Sequence, residues 1–285
     1  LALKGFIMVR RFIRAGSACA ALFFSIHSAH AAMFAQYVDG TYTLGTVPSY
    51  LTSFNDPTVL NNTPQGETGV PDGFPGVVSP FNPPFDNSQI VLIGLGGGVT
   101  VHFATPVSAA NSPAIGIFSN VGLIDSNYPA GQADNPADIF GGGSAVVSVS
   151  ADGSLWKNLG IVNFTMPENY YLNAGPYDLA APANPQVADF GKPFTGTLSS
   201  FDNETYPQIV TTLNGSAGGT WLDPSSTGLS QISYVRFDED ATQLPVGSYL
   251  ALQAISANDT LPEPASIATL ALGAGFLLRR RRCRA

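Results

Sequence analysis

Gln89-Ile90-Val91-Leu92-Ile93-Gly94-Leu95-Gly96-Gly97-Gly98-Val99-Thr100-Val101-His102-Phe103 is the stretch on which the fold turns. Its arms, Gln89 to Leu95 and Val99 to Phe103, are β-rich, and the glycines between them predict a hairpin. A phosphate loop is excluded, because that motif needs a following Lys, a Ser or Thr and a helix, whereas here another strand follows. Val101 and Phe103 alternate with Thr100 and His102, so one face is apolar and His102 belongs to the other. A lone histidine there reads as a surface or hydrogen-bonded group, not a catalytic one.

The same pattern extends outward. Residues 32–260 are rich in Gly, Pro, Ser, Asn and Thr, with short alternating runs, no long helical period and no internal repeat. That is an all-β signature, and about 230 residues can bury over two thirds of their extended-chain surface. A single β-sandwich with long Pro/Gly-rich loops and one or two short helices is therefore expected. Met33 to Leu44 supplies one or two early strands, and the proline-punctuated segment from Gly45 to Ser88 is loop. Ala114 to Phe118 is a strand and Asp125 to Gly143 a polar loop. Ala145 to Ser150 alternates cleanly, Asp152-Gly153 supplies a tight turn, and Leu155 to Leu159 returns as the partner strand. Trp156, in that strand, is assigned to the core, with sugar stacking as the alternative. Asn173 to Pro193 is Pro-rich loop. Glu204 to Leu213 is the expected helix, with Pro207 in its first turn and Asn214-Gly215 as its stop. Ser225 to Leu229 forms a short turn or helix, and Ile232 to Phe237 and Ser248 to Ser256 complete the sheets.

Both ends read as processing signals. Arg10, Arg11 and Arg14, an apolar stretch from Ala15 to Ile26 and the small residues Ala29 and Ala31 make a signal peptide over residues 1–31, with Met8 the expected start and Ala32 the expected mature N-terminus. Cys19 lacks the large aliphatic residue a lipoprotein signal places ahead of it. At the other end, Pro262-Glu263-Pro264 is a stiff extended tripeptide. An apolar helical run from Ala265 to Leu278 and the cluster Arg279, Arg280, Arg281 and Arg282 follow it. Fourteen residues span about 21 Å against a hydrocarbon core of roughly 30 Å, and the arginines place the tail's end in the cytoplasm. A simple membrane anchor is the alternative reading. The ordered tail, residues 261–285, resembles the PEP-CTERM sorting signal of exported bacterial proteins. The resemblance implies transient inner-membrane insertion and processing by an exosortase, after signal peptidase has acted at the other end. It also implies a destination at the cell surface or in the extracellular matrix of a Gram-negative-type bacterium.

Between the signals, the charge is one-sided. Nineteen of the 20 acids lie within residues 32–261, against Lys157, Lys192 and Arg236, a balance of −16. Such a surface repels nucleic acid and anionic lipid. Both cysteines, Cys19 and Cys283, fall in the terminal segments, which leaves no disulfide or thiol chemistry, and His102 is the one histidine remaining.

A second resemblance rests on Leu92 to Phe103, Val147 to Gly153, and Gly228-Leu229 with Ile232 to Arg236. These look like exported bacterial surface proteins with a jelly-roll, galactose-binding-like (discoidin-like) sandwich, over residues 85 to 256. Ser119-Asn120 stands where relatives often carry Glu-Asn, and Ala251 and Gln253 where they often carry two Asp.

No G-x-S-x-G elbow, H-E-x-x-H or Walker loop is present. The expectation is therefore a non-catalytic module binding exopolysaccharide or serving a structural role. A glycoside hydrolase is the alternative, since it needs only two carboxylates about 5 to 9.5 Å apart. The candidate sugar-stacking residues are the loop aromatics Tyr128, Tyr170, Tyr171, Tyr177 and Trp221. Calcium is the one candidate cofactor, with Asp134 and Asp138 as first candidates, then Asp202 with Glu204, and Asp238 to Asp240. Solvated acids explain the same clusters.

Overall fold

The computed structural model describes residues 32–258. Ala29 and Ala31 of the leader, and Pro262, Glu263, Pro264 and Arg279 to Arg282 of the tail, lie outside the described residues.

The described chain is all-β. Its strands are β1 (Gln36–Tyr37), β2 (Glu67–Thr68), β3 (Gly76–Val77), β4 (Val91–Gly94), β5 (Gly98–Ser108), β6 (Ile115–Ser119) and β7 (Val121–Leu123). They continue with β8 (Ile139–Gly141), β9 (Gly143–Ser150), β10 (Trp156–Phe164), β11 (Thr220–Leu222), β12 (Gln231–Asp238) and β13 (Tyr249–Ala257). One sheet runs β1-β5-β12-β9-β10, a second runs β11-β6-β13-β4, and β2-β3 and β7-β8 are two-stranded ribbons; β2, β3 and β8 fall in segments expected to be loop. Every strand pair is antiparallel. Val101, Phe103, Val147 and Phe237 from the first sheet join Ile93, Ile117, Leu252 and Ile255 from the second in one buried cluster. The two sheets thus share a core, as period-two alternation requires.

The hairpin expected around Gly96 to Gly98 does not form. β4 pairs with β13 in one sheet, while β5 pairs with β1 and β12 in the other. The glycines instead make a corner that passes the chain between sheets. Thr46 N donates to Leu95 O and Thr43 N to Gly98 O, both at 2.9 Å, so another stretch of backbone lies directly on the corner. A Cβ on Gly94 would stand 2.3 Å from Thr46 O. Glycine here serves close backbone approach, which composition cannot distinguish from a turn. Gly94→Ala is expected to lower stability by about 2 kcal/mol, since rigid backbone must move; a denaturant midpoint equal to that of the wild type would contradict this packing.

The outer face of the four-stranded sheet is covered. Leu44, Val47, Leu51 and Phe54 pack on Leu92 and Ala251, and Phe190, Tyr170 and Trp221 pack around Phe118 and Ala254. A bulge on β13 shifts register between Leu252 and Ala254 and sends Gln253 and Ala254 to this covered side, while Leu252 and Ile255 stay in the core. The helix α1 (Tyr206–Leu213) starts two residues later than expected and buries Ile209 and Leu213 against Phe81 and Phe201. Its ends follow the sequence: Gln208 Oε1 accepts from Thr205 N at 2.9 Å, and Asn214 takes φ 50°.

Candidate ligand-binding face

No apolar cluster among the described residues covers the outer face of the five-stranded sheet. Alternation decides what it carries. On β12, Val235 and Phe237 point inward, so Tyr234, Arg236 and Asp238 point outward; on β9, Val147 and Val149 are inward and Ser148 and Ser150 outward. Register then assembles rows across the sheet. Gln36, His102, Tyr234, Ser150 and Trp156 form one row, and Thr100, Arg236, Ser148 and Asn158 the next.

The first row is an aromatic platform. His102 and Tyr234 lie 4.5 Å apart between ring centroids, and Trp156 meets Tyr234 edge-on at 6.5 Å. Ser150, between them, is small enough to leave the rings in contact range. The Arg236 guanidinium sits over Trp156, 4.6 Å from the ring centroid, and its Nε donates to Asp238 Oδ2 at 2.8 Å. That geometry fixes a cation on one side of the indole and leaves a donor and acceptor pair beside it. Gly98 makes room for the carboxylate, since a Cβ there would approach Asp238 Oδ1 to 2.9 Å. At this end of the face a pocket of about 400 Å³ opens between Gly96, Gly97, Ser148, Asn158, Arg236 and Asp238.

The hairpin turn aims Trp156. Asp152 Oδ1 accepts from Ser154 N and Leu155 N at 2.8 and 2.9 Å, and these amides, Leu155 first, hold its carboxyl well below the usual carboxylate range. Trp156 is therefore an outward, half-buried residue, which corrects its assignment to the core. The signal was present in the sequence: the turn places Trp156 opposite Ser150, on the side of the serines. His102 lies on the outer face, as alternation requires.

The loop aromatics lie elsewhere. Tyr128, exposed, meets Tyr177 edge-on at 5.0 Å, and Tyr177 Oη donates to Asp125 Oδ2 at 3.0 Å near the α1 cluster. Tyr170 packs edge-on against Tyr171 and Phe190. Trp221 Nε1 donates to Gly218 O at 2.8 Å, and its ring covers Gly116. Trp221 also borders a cleft of about 320 Å³ with Phe194 and Thr195. Tyr170, Tyr171 and Trp221 thus belong to the cover of the four-stranded sheet, and none of the five lies on the aromatic row.

The acidic candidates are largely engaged in local structure. Asp138 Oδ1 accepts from Ile139 N and Asp202 Oδ1 from Ala137 N, both at 2.8 Å, while Asp134 offers its carbonyl to Asn203 N. Glu204 Oε1 accepts from Thr212 Oγ1, and Asp240 is held by Thr242 and Gln243. Among the described residues, no group of three or more His, Cys, Asp or Glu side chains is placed to hold a metal ion.

Comparison with protein-family profiles, curated proteins and solved structures finds no match to this chain.

Proposed function

We propose that this chain is an exported surface or matrix protein whose body is a non-catalytic polysaccharide-binding module, engaging sugar on the outer face of the five-stranded sheet. The observation that carries the reading is the row His102, Tyr234 and Trp156 with Arg236 stacked on the indole. Aromatic faces accept the apolar faces of pyranose rings, and the Arg236–Asp238 pair beside them offers donors and an acceptor to hydroxyls. Neutral polysaccharide fits best, because Asp238 already balances Arg236. The same ion pair favours a binding role over hydrolysis, since Asp238 Oδ2 is already engaged by Arg236. Retention of the secreted protein on matrix polysaccharide, without release of reducing ends, tests this reading; reducing-sugar release would establish a hydrolase instead.

The body is proposed to be a jelly roll of the galactose-binding-like kind. Numbering β4, β5, β6, β9, β10, β11, β12 and β13 from one to eight, the sheets read 2-7-4-5 and 6-3-8-1, which supports that topology of two Greek keys. Export and sorting by an exosortase rest on the terminal signals. Replacing Pro262, Glu263 and Pro264 by Ala is expected to leave protein held in the membrane fraction, and unchanged release into the surface fraction would remove the sorting interpretation.

A further inference from the structure

The loop layer over the four-stranded sheet drives one carboxyl into the interior. Glu168 is 1 % exposed, and among the described residues neither of its side-chain oxygens has a hydrogen-bond partner in good geometry. Its backbone is held on both sides: Glu168 bridges Gly218, Asn169 N donates to Ala217 O at 3.0 Å, and Tyr170 N donates to Val78 O at 3.2 Å. Exposing the side chain therefore means lifting this segment from the sheet. Gln253, sent to this side by the β13 bulge, is also buried, with neither amide atom partnered in good geometry. Burial pushes the Glu168 carboxyl up to about 8, and the Gln253 amide opposes part of that shift, an interaction that requires the two side chains to meet.

A carboxylate facing a carboxamide brings three accepting oxygens and one donating NH2. One proton repairs the mismatch. The carboxyl O–H donates to the amide oxygen, the amide N–H donates to the other carboxyl oxygen, and both side chains are satisfied with no charge buried. The ionised form has no such remedy, because no cation stands near it. Of the three Lys and Arg side chains within the described residues, Arg236 pairs with Asp238, Lys192 Nζ donates to Asn214 O, and Lys157 is exposed on β10. Asp189, on the loop beside Ala217, turns its carboxylate to Gly191 N at 2.8 Å. The Tyr170 phenol is pushed up from 10 by burial first, then by Tyr171 and Glu168, so it stays neutral while the carboxyl titrates.

We propose that Glu168 and Gln253 form a neutral acid–amide pair, a latch that fastens the loop layer to β13 and loosens as pH rises. Lifting the layer hydrates the carboxyl, which gives its proton to water. Tyr170 and Phe190, packed on each other and over Phe118 and Ala254, lift with it and uncover the apolar outer face of the four-stranded sheet. Below pH 4.5 the carboxyl is protonated whether the layer is closed or open, so the latch holds fully. Between 4.5 and 8 opening releases a proton, and the opening constant rises about tenfold per pH unit; above 8 the carboxyl is ionised in both forms and the rise levels off.

Hydrogen exchange of the secreted protein tests the latch at the amides of Asn169, Tyr170 and Ala188, the last bonded to Tyr170 O at 2.8 Å. The measurement is made in the Glu239→Gln background, so that the other raised carboxyl contributes nothing. After correction for base-catalysed chemical exchange, the opening constant at these amides is expected to rise about a hundredfold over two pH units spanning neutrality. Glu168→Gln, which keeps an amide against Gln253 and cannot ionise, should remove that rise. Should Glu168→Gln fail to fold, the infrared carboxyl band decides: a protonated C=O at neutral pH, moved towards the free-acid frequency by Gln253→Leu, reads the pair directly. An opening constant that ignores pH overturns the proposal, as does a protonated band that is absent at neutral pH or that Gln253→Leu leaves in place.

Discussion

Trp156→Ala is expected to weaken binding of the secreted protein to matrix polysaccharide about thirtyfold or more, the ~2 kcal/mol loss typical of an aromatic hot spot. The substitution removes one end of the aromatic row and also the surface on which the Arg236 guanidinium rests. Trp156 contributes to none of the buried clusters, so the fold should lose less than about 1 kcal/mol. Binding isotherms on the polysaccharide check the first effect and denaturant unfolding the second. Retention unchanged by Trp156→Ala would move the site away from this face.

Glu239→Gln is expected to stabilise the protein above neutral pH by an amount on the order of 3 kcal/mol, with little effect under acid conditions. Glu239 is fully buried beneath the Gly96–Gly97 corner, where its N–H donates to Gly97 O, and neither carboxylate oxygen is partnered in good geometry. Burial raises its carboxyl from 4.5 to about 7, with the Ser248 hydroxyl opposing part of the shift. A carboxyl raised in the folded state is neutral in both states below pH 4.5, so its stability contribution is fully present there. Between 4.5 and 7 the unfolded chain releases the proton that the folded chain retains. Stability is therefore lost as pH rises through that window, and the glutamine, which cannot ionise, escapes the loss. Melting midpoints of the two proteins from acid to alkaline pH decide it; parallel curves would mean that folding leaves the Glu239 carboxyl unshifted.

Much of the architecture was legible because period-two alternation survives wherever a strand has one buried face. Val147, Val149, Ser148 and Ser150 mark β9, Asp152-Gly153 marks the turn, and Asn214-Gly215 ends α1 where expected. Sheet membership was not legible, since pairing is a long-range choice. Gly94 to Gly98 joins strands of different sheets because backbone from Thr43 to Thr46 docks on it, a contact invisible to local composition. β8 was hidden for a related reason: Ile139–Gly141 is too short to show a period and pairs only with β7.

The candidate face was half legible. Thr100 and His102, or Ser148 and Ser150, each announce a polar side, yet Trp156 joins them only through the register of the β9–β10 hairpin. Loop aromatics drew the sequence reading because loops often carry function. In the folded chain Tyr170, Tyr171 and Trp221 instead help close the four-stranded sheet, whereas the outer face of the five-stranded sheet has no apolar cluster over it among the described residues.

The chain contains two tryptophans, Trp156 on the proposed face and Trp221 beside the loop cleft. Titrating matrix polysaccharide into Trp221→Phe and Trp156→Phe separately, and following the fluorescence of the tryptophan that remains, locates the ligand directly. The expected result is a saturable change in the emission of Trp156 with Trp221 silent. A response from Trp221 alone, or from neither, would contradict binding on the five-stranded face.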